Sequence, residues 1–140
     1  MKNTKQVIVV RKFPNLRTGK YCSQVAHASM AFLTKGMRAS YTHDYSTTLG
    51  VFETRHYNTE QAEEITHWLE NSFRKICVYV NSEEELHELH QKALDNGLIS
   101  YIVEDNGATE FNGVKTFTAL SIGPNWDEKF IGLTDHLPLL

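Results

Sequence analysis

Not one Asp or Glu occurs among the first 43 residues. The same stretch carries Lys2, Lys5, Arg11, Lys12, Arg17, Lys20, Lys35 and Arg38, a charge of +8. Residues 44–140 hold the other six basic residues and all 17 acidic ones, a charge of −11. The net charge of −3 therefore hides a basic half set against an acidic one, a pattern that points to a polyanion-binding face. Long apolar runs are missing as well. Nothing approaches the roughly 18 consecutive apolar residues of a membrane span. The run Val7–Val10 is too short for the core of a signal peptide, so a cytoplasmic protein is expected. Cysteine is scarce: Cys22 and Cys77 stand far apart without a CxxC spacing and read as two free, buried thiols rather than a disulfide.

Several chemistries lack their motifs. There is no GxxxxGK[ST] phosphate loop, no GxSxG nucleophile turn and no HExxH zinc helix. His87 and His90 lie three apart among Glu83, Glu84, Glu85 and Glu88, but spacing supplies no third ligand, and a solvated helix face is the expectation, with no metal.

What is present is an ordinary globular composition. Hydrophobic residues make up 41% and charged residues 22% of 140, which fits one domain (1–140) with its own core. KQVIVVRK reads as a buried strand, followed by a loop and a helix from about residue 19 to 34 that Gly36 ends. Residues 36–57 have no helical period and read as a loop with a short strand near 49–54. Asn58 with Gln61 caps a second helix to about Phe73, with Ala62, Ile65 and Leu69 inward. KICVYV is a second strand. Ser82 with Glu85 forms a capping box for a third helix, with Leu86, Leu89, Ala93 and Leu94 inward and Gly97 at its end. LISYIVE and KTFTALSIG are two more strands, and Asn125 with Glu128 caps a short last helix. The order predicts an α/β fold, a three-layer α/β/α sandwich around a mixed, mainly four-stranded sheet.

Two stretches carry chemistry. In RTGKYCSQVAHAS, Lys20, Gln24 and His27 share one helix face, directly after Gly19 and opposite the face a core requires. A helix start attracts anions, and Lys20 adds a full charge there. A lone Gly-Lys is also compatible with a solvated lysine, and a lone His with a hydrogen-bonded core residue. In EDNGATEF, Asp105 ends a buried strand, where ligands bind in open α/β sheets, and Thr109 follows after a glycine turn. Taken alone, that stretch reads first as a loop with an Asx-turn.

Taken together, VIVVRK…GKYCSQVAHAS, RKICVYV…EEELHEL, EDNGATEF…TFTALSIGP and the terminal LTDHLPLL resemble the archaeal- and eukaryotic-type peptidyl-tRNA hydrolases over about residues 6–33 and 74–140. The resemblance implies hydrolysis of the ester between a peptide and the 3′-terminal ribose of tRNA, a mixed-sheet α/β/α fold, peptidyl-tRNA as partner, no required metal or cofactor, and often a homodimer. It puts the family's catalytic lysine on Lys20, its loop aspartate and threonine on Asp105 and Thr109, and its strand threonine on Thr118. Gln24 and His27 match the helix motif. With Gly19, Arg11, Lys12 and Arg17 they are the expected substrate-binding residues. Thr109 and Thr118 are expected to position the water or the ester carbonyl, and whether Lys20 acts as base or as charge stabiliser stays open.

The chain departs from the family pattern in places. Phe13 stands where an Asp is usual, Ala108 where the loop has an Arg, and residues 34–73 form a longer variable segment. A non-catalytic RNA- or nucleotide-binding module and a protein-interaction domain using residues 36–57 remain alternatives, although neither needs Lys20, Asp105 and Thr109 together.

Overall fold

The computed structural model describes residues 2–43 and 61–140. Four strands make one sheet: β1 (Thr4–Arg11), β2 (Lys75–Val80), β3 (Ser100–Asp105) and β4 (Thr116–Trp126), in the order β2-β1-β4-β3. β1 runs parallel to β2 and antiparallel to β4, and β3 is antiparallel to β4. The sheet is therefore mixed, as the sequence predicts.

β1 is central, and its unbroken apolar run follows from cover on both faces. Val7 and Val9 point to the side of α3 (Glu83–Asp95), where they pack with Val78, Val80, Leu86, Leu89, Leu120 and Ile122. Ile8 and Val10 point to the other side, against Ala28 of α1 (Thr18–His43) and Ala119. One strand thus divides its side chains between two helical layers by its period of two.

α3 begins as expected. Glu85 N–H donates to Ser82 Oγ at 3.2 Å, and the Glu85 carboxylate accepts from Asn81 N–H at 2.9 Å, which holds that carboxyl below its ordinary range. Gly97, at φ +72°, ends the helix with Leu98 N–H returning to Ala93 C=O at 2.9 Å. Edge strand β2 is covered by the chain's own end: Tyr79 N–H donates to Pro138 C=O and Leu140 N–H to Cys77 C=O, both at 3.1 Å.

Several expectations need correction. α1 does not stop at Gly36 but continues to His43, since an interior glycine weakens a helix without breaking it. The second helix, α2 (Ala62–His67), gives way to a π-helical turn at Trp68–Ser72, which re-aims the face: Trp68 is buried against Phe32, and Leu69 is exposed. Leu94 is likewise exposed. Asn125 caps no helix; it lies inside β4, and a single 3-10 turn at Asp127–Phe130 follows. The strand expected near 49–54 and the cap at Asn58 lie outside the described residues.

Candidate active site

The N-terminal turn of α1 lies against the carboxyl end of β3 and the adjoining end of β4. Lys20 and Gln24, one helical turn apart, both reach Asp105. Lys20 Nζ donates to Asp105 Oδ2 at 2.7 Å, and Gln24 Nε2 donates to the same oxygen at 2.9 Å. The Lys20 and Asp105 side chains are only 13% and 12% exposed, so the pair is shielded from water on most sides. Lys20 Nζ also donates to Thr109 Oγ1 at 3.1 Å, and Thr109 is exposed at the mouth.

Asp105 serves two ends. Its Oδ1 accepts from Gly107 N–H at 2.8 Å, which is an Asx-turn, while Oδ2 takes Lys20 and Gln24. The Lys20 ammonium, aided by the Gly107 N–H and the Gln24 amide, holds the Asp105 carboxyl below its ordinary range.

Thr118 enters this network through an irregularity. Val103 pairs with Ala119, but the next residue, Glu104, pairs with Phe117, so Thr118 is the extra residue of a bulge in β4. Phe117 packs on the α3 side and Ala119 on the α1 side. The bulge turns Thr118 to the α1 side too, where its hydroxyl donates to Gln24 Oε1 at 2.6 Å. Thr118 is 1% exposed, and Gln24 is 6% exposed and engaged at both ends of its amide. Gln24 reaches Asp105 directly, and Thr118 reaches it through Gln24.

The other expected binding residues lie outside this network. Arg17 is exposed and forms an ion pair with Glu110, its Nε at 2.6 Å from Oε1. Arg11 lies 3.4 Å from Glu83 and 4.5 Å from the Phe13 ring centroid. Lys12 is exposed, with Nζ over the Tyr79 ring. His27 is exposed on the next turn of α1, outside the hydrogen-bonded chain just described. A Cβ on Gly19 would meet open space, so close approach of a neighbour does not require glycine there.

Tyr21 packs against the core on the α1 side, and its hydroxyl accepts from Phe13 N–H at 2.8 Å and donates to Phe13 C=O at 2.9 Å. No local pattern in the sequence signals that contact. Both cysteines are free, and Cys22 is exposed rather than buried. They line an open apolar cavity of about 500 Å³ on the far flank of α1, which includes neither Lys20 nor Asp105. Among the described residues, no three His, Cys, Asp or Glu side chains converge to hold a metal ion, and His87 instead lies 3.4 Å from Glu83.

This arrangement sits on a chain whose residues 4–140 match the family model for peptidyl-tRNA hydrolase PTH2. The chain belongs to that family. It is 38% identical to the peptidyl-tRNA hydrolase of Methanopyrus kandleri over 97% of both chains. It is 34% identical to that of Methanocaldococcus jannaschii over 97% of this chain and 99% of the relative. Its identity to that of Nanoarchaeum equitans is 32%, over 96% and 97%. Among the described residues of this PTH2 chain, Lys20 joins a shielded carboxylate, Asp105, and an exposed hydroxyl, Thr109, within hydrogen-bonding reach.

Proposed function

We propose that this chain hydrolyses the ester between a peptide, or an N-blocked aminoacyl group, and the 3′-terminal ribose of tRNA, and that Lys20, Asp105 and Thr109 carry the reaction. Family membership over residues 4–140 supports the activity. The observation that carries the site is the 2.7 Å pair of Lys20 and Asp105, mostly shielded from water, with the exposed Thr109 hydroxyl 3.1 Å from Lys20.

In hydrolysis, water adds to the ester carbonyl carbon and negative charge grows on the carbonyl oxygen. The carbon–oxygen bond to ribose then breaks, and the proton given up by the attacking water ends on the leaving ribose oxygen, so the products are a carboxylic acid and free tRNA. The growing charge needs donors already aimed at it. Lys20 supplies one. Thr109 supplies another, because its oxygen already accepts from Lys20 and its own proton is left to point outward. The low titration range of Asp105 makes it a weak base. A carboxylate has about four acceptor positions, and here three are taken by Lys20, Gln24 and Gly107. The remaining position on Oδ1 suits it to orient the attacking water. Lys20 is then a charge stabiliser rather than a base. Gln24 and Thr118 are positioning residues.

Arg11 beside Phe13, Arg17 beside Glu110 and the exposed Lys12 suit the phosphates of the acceptor end, where contact with the backbone orients the substrate without reading its sequence. No helix among the described residues is long and apolar enough to cross a membrane. Cytoplasmic action on free peptidyl-tRNA and a homodimeric state complete this reading. The experiment is release of free tRNA from N-acetyl-aminoacyl-tRNA by the purified chain, compared with Lys20→Ala.

A further inference from the structure

Two phenyl rings stand at this mouth. Phe13, from the loop after β1, and Phe111, from the loop after β3, lie with ring centroids 5.0 Å apart at 51°. Both are half-buried, and among the described residues neither belongs to a hydrophobic core cluster. Both are held by their backbones. Tyr21 grips the N–H and the C=O of Phe13. Phe111 C=O accepts from Val114 N–H at 2.9 Å, in a loop closed by Gly113 N–H to Gly107 C=O at 2.8 Å. That loop is tight: Gly107 sits at φ +81°, and a Cβ there would lie 2.2 Å from the Val114 carbonyl oxygen. Two anchored loops therefore hold apolar rings beside a charged site, where exposure favours polar side chains.

Cations flank the pair. The Arg11 guanidinium is 4.5 Å from the Phe13 centroid, and Lys20 Nζ is 5.8 Å from the Phe111 centroid. The matching ligand has a flat π surface with an anionic group on one side and the reacting carbonyl on the other. The last nucleoside of the tRNA has that form: a base, a 5′-phosphate, and the ester on its ribose. We propose that Phe13 and Phe111 form a subsite for the 3′-terminal nucleobase, with Arg11 toward its 5′-phosphate and Lys20 toward the ester.

This inference rests on the peptidyl-tRNA reading. The peptide differs from one substrate to the next, whereas the terminal nucleotide is common to them, and a fixed ring pair fits the constant part. Stacking on a phenyl ring tolerates tilted geometry and needs no hydrogen-bond code. Phe111 follows Thr109 by two residues, so a base docked there carries its own ester toward Lys20 and Thr109.

The test is steady-state hydrolysis of two N-acetyl-aminoacyl-tRNAs, one intact and one with an abasic 3′-terminal ribose, by wild type, Phe13→Leu and Phe13→Tyr, with folding followed by circular dichroism. Phe13→Leu keeps apolar volume but loses the ring. It is expected to raise KM for the intact substrate about tenfold, the scale of one stacked base, with kcat changed far less. Phe13→Tyr recovers most of that affinity. The abasic substrate binds wild type weakly, and Phe13→Leu weakens it no further. Equal losses on both substrates would overturn the subsite and make the ring a loop-packing residue. A loss that follows the identity of the amino acid would overturn it in favour of a side-chain pocket. If wild type fails to hydrolyse even the intact substrate, the peptidyl-tRNA reading falls, and the subsite with it.

Discussion

Thr118 donates a 2.6 Å hydrogen bond to Gln24 from a bulged position in β4. That bond decides which way the Gln24 amide points. With its oxygen committed to Thr118, its nitrogen is left to meet Asp105 at 2.9 Å. A threonine with almost no exposed surface thereby bears on the orientation of a carboxylate at the mouth.

Thr118→Val, which keeps the shape and removes the hydroxyl, leaves the Gln24 carbonyl buried without its donor. The expected cost is about 1–3 kcal/mol of folding stability. Turnover falls because Asp105 loses a fixed partner, and Thr118→Ser restores most of both. Denaturant melts and kcat for the three proteins check this. A Thr118→Val protein equal to wild type in both would remove Thr118 from the network.

Lys20→Arg separates the two roles open for the lysine. Arginine stays charged in proteins and cannot act as a base, though its flat guanidinium fits the site imperfectly. If charge stabilisation is the role, Lys20→Arg keeps activity well above Lys20→Ala, roughly one to two orders of magnitude below wild type. Equal loss in Lys20→Arg and Lys20→Ala would argue for a base.

The pH dependence of stability follows from Asp105. Its folded carboxyl titrates below its ordinary value of 3.8. The stabilisation is therefore fully present above that value and is lost as pH falls through the lower folded one. Asp105→Asn should flatten this acid limb, so the stability gap between mutant and wild type narrows below about pH 4. Thermal melts from pH 7 down to pH 2 check it, and parallel curves for the two proteins would contradict it. In kinetics at pH 7, Asp105→Asn should lose about two orders of magnitude or more in kcat.

Salt should weaken tRNA binding steeply, because basic residues that neutralise phosphates release condensed counterions. Arg17 already shares its charge with Glu110. Glu110→Gln should accordingly tighten tRNA binding by about two- to fivefold, the scale of an exposed ion pair, while Lys12→Glu weakens it. Filter-binding titrations at several salt concentrations measure both. Binding indifferent to salt would point away from a phosphate-tracking face.

Much of the fold was legible because its signals are local. The capping box at Ser82 and Glu85, the apolar run Val7–Val10 and the glycine at 97 each act through near neighbours. The meeting of Lys20, Asp105 and Thr109 was approachable for a different reason: a polar helix face directly after a strand and an Asp at a strand end are both odd for a core. What was not legible has non-local causes. A bulge redirects Thr118 to Gln24, and no period of two reveals it. A π-helical turn exchanges Leu69 for Trp68. Tyr21 fits the apolar face of α1, yet its hydroxyl is spent on the backbone of a loop eight residues earlier. Phe13 and Phe111 meet only because β1 and β3 end on the same side of the sheet.

The most direct measurement is hydrolysis of N-acetyl-aminoacyl-tRNA by wild type and by Lys20→Ala at equal enzyme concentration, with folding verified by circular dichroism and tRNA binding measured alongside. Wild type should release free tRNA. Lys20→Ala should be slower by about two to four orders of magnitude with its fold intact. Equal rates from the two proteins would contradict the site, and tRNA binding by a wild type that releases nothing would make the chain a binding module instead.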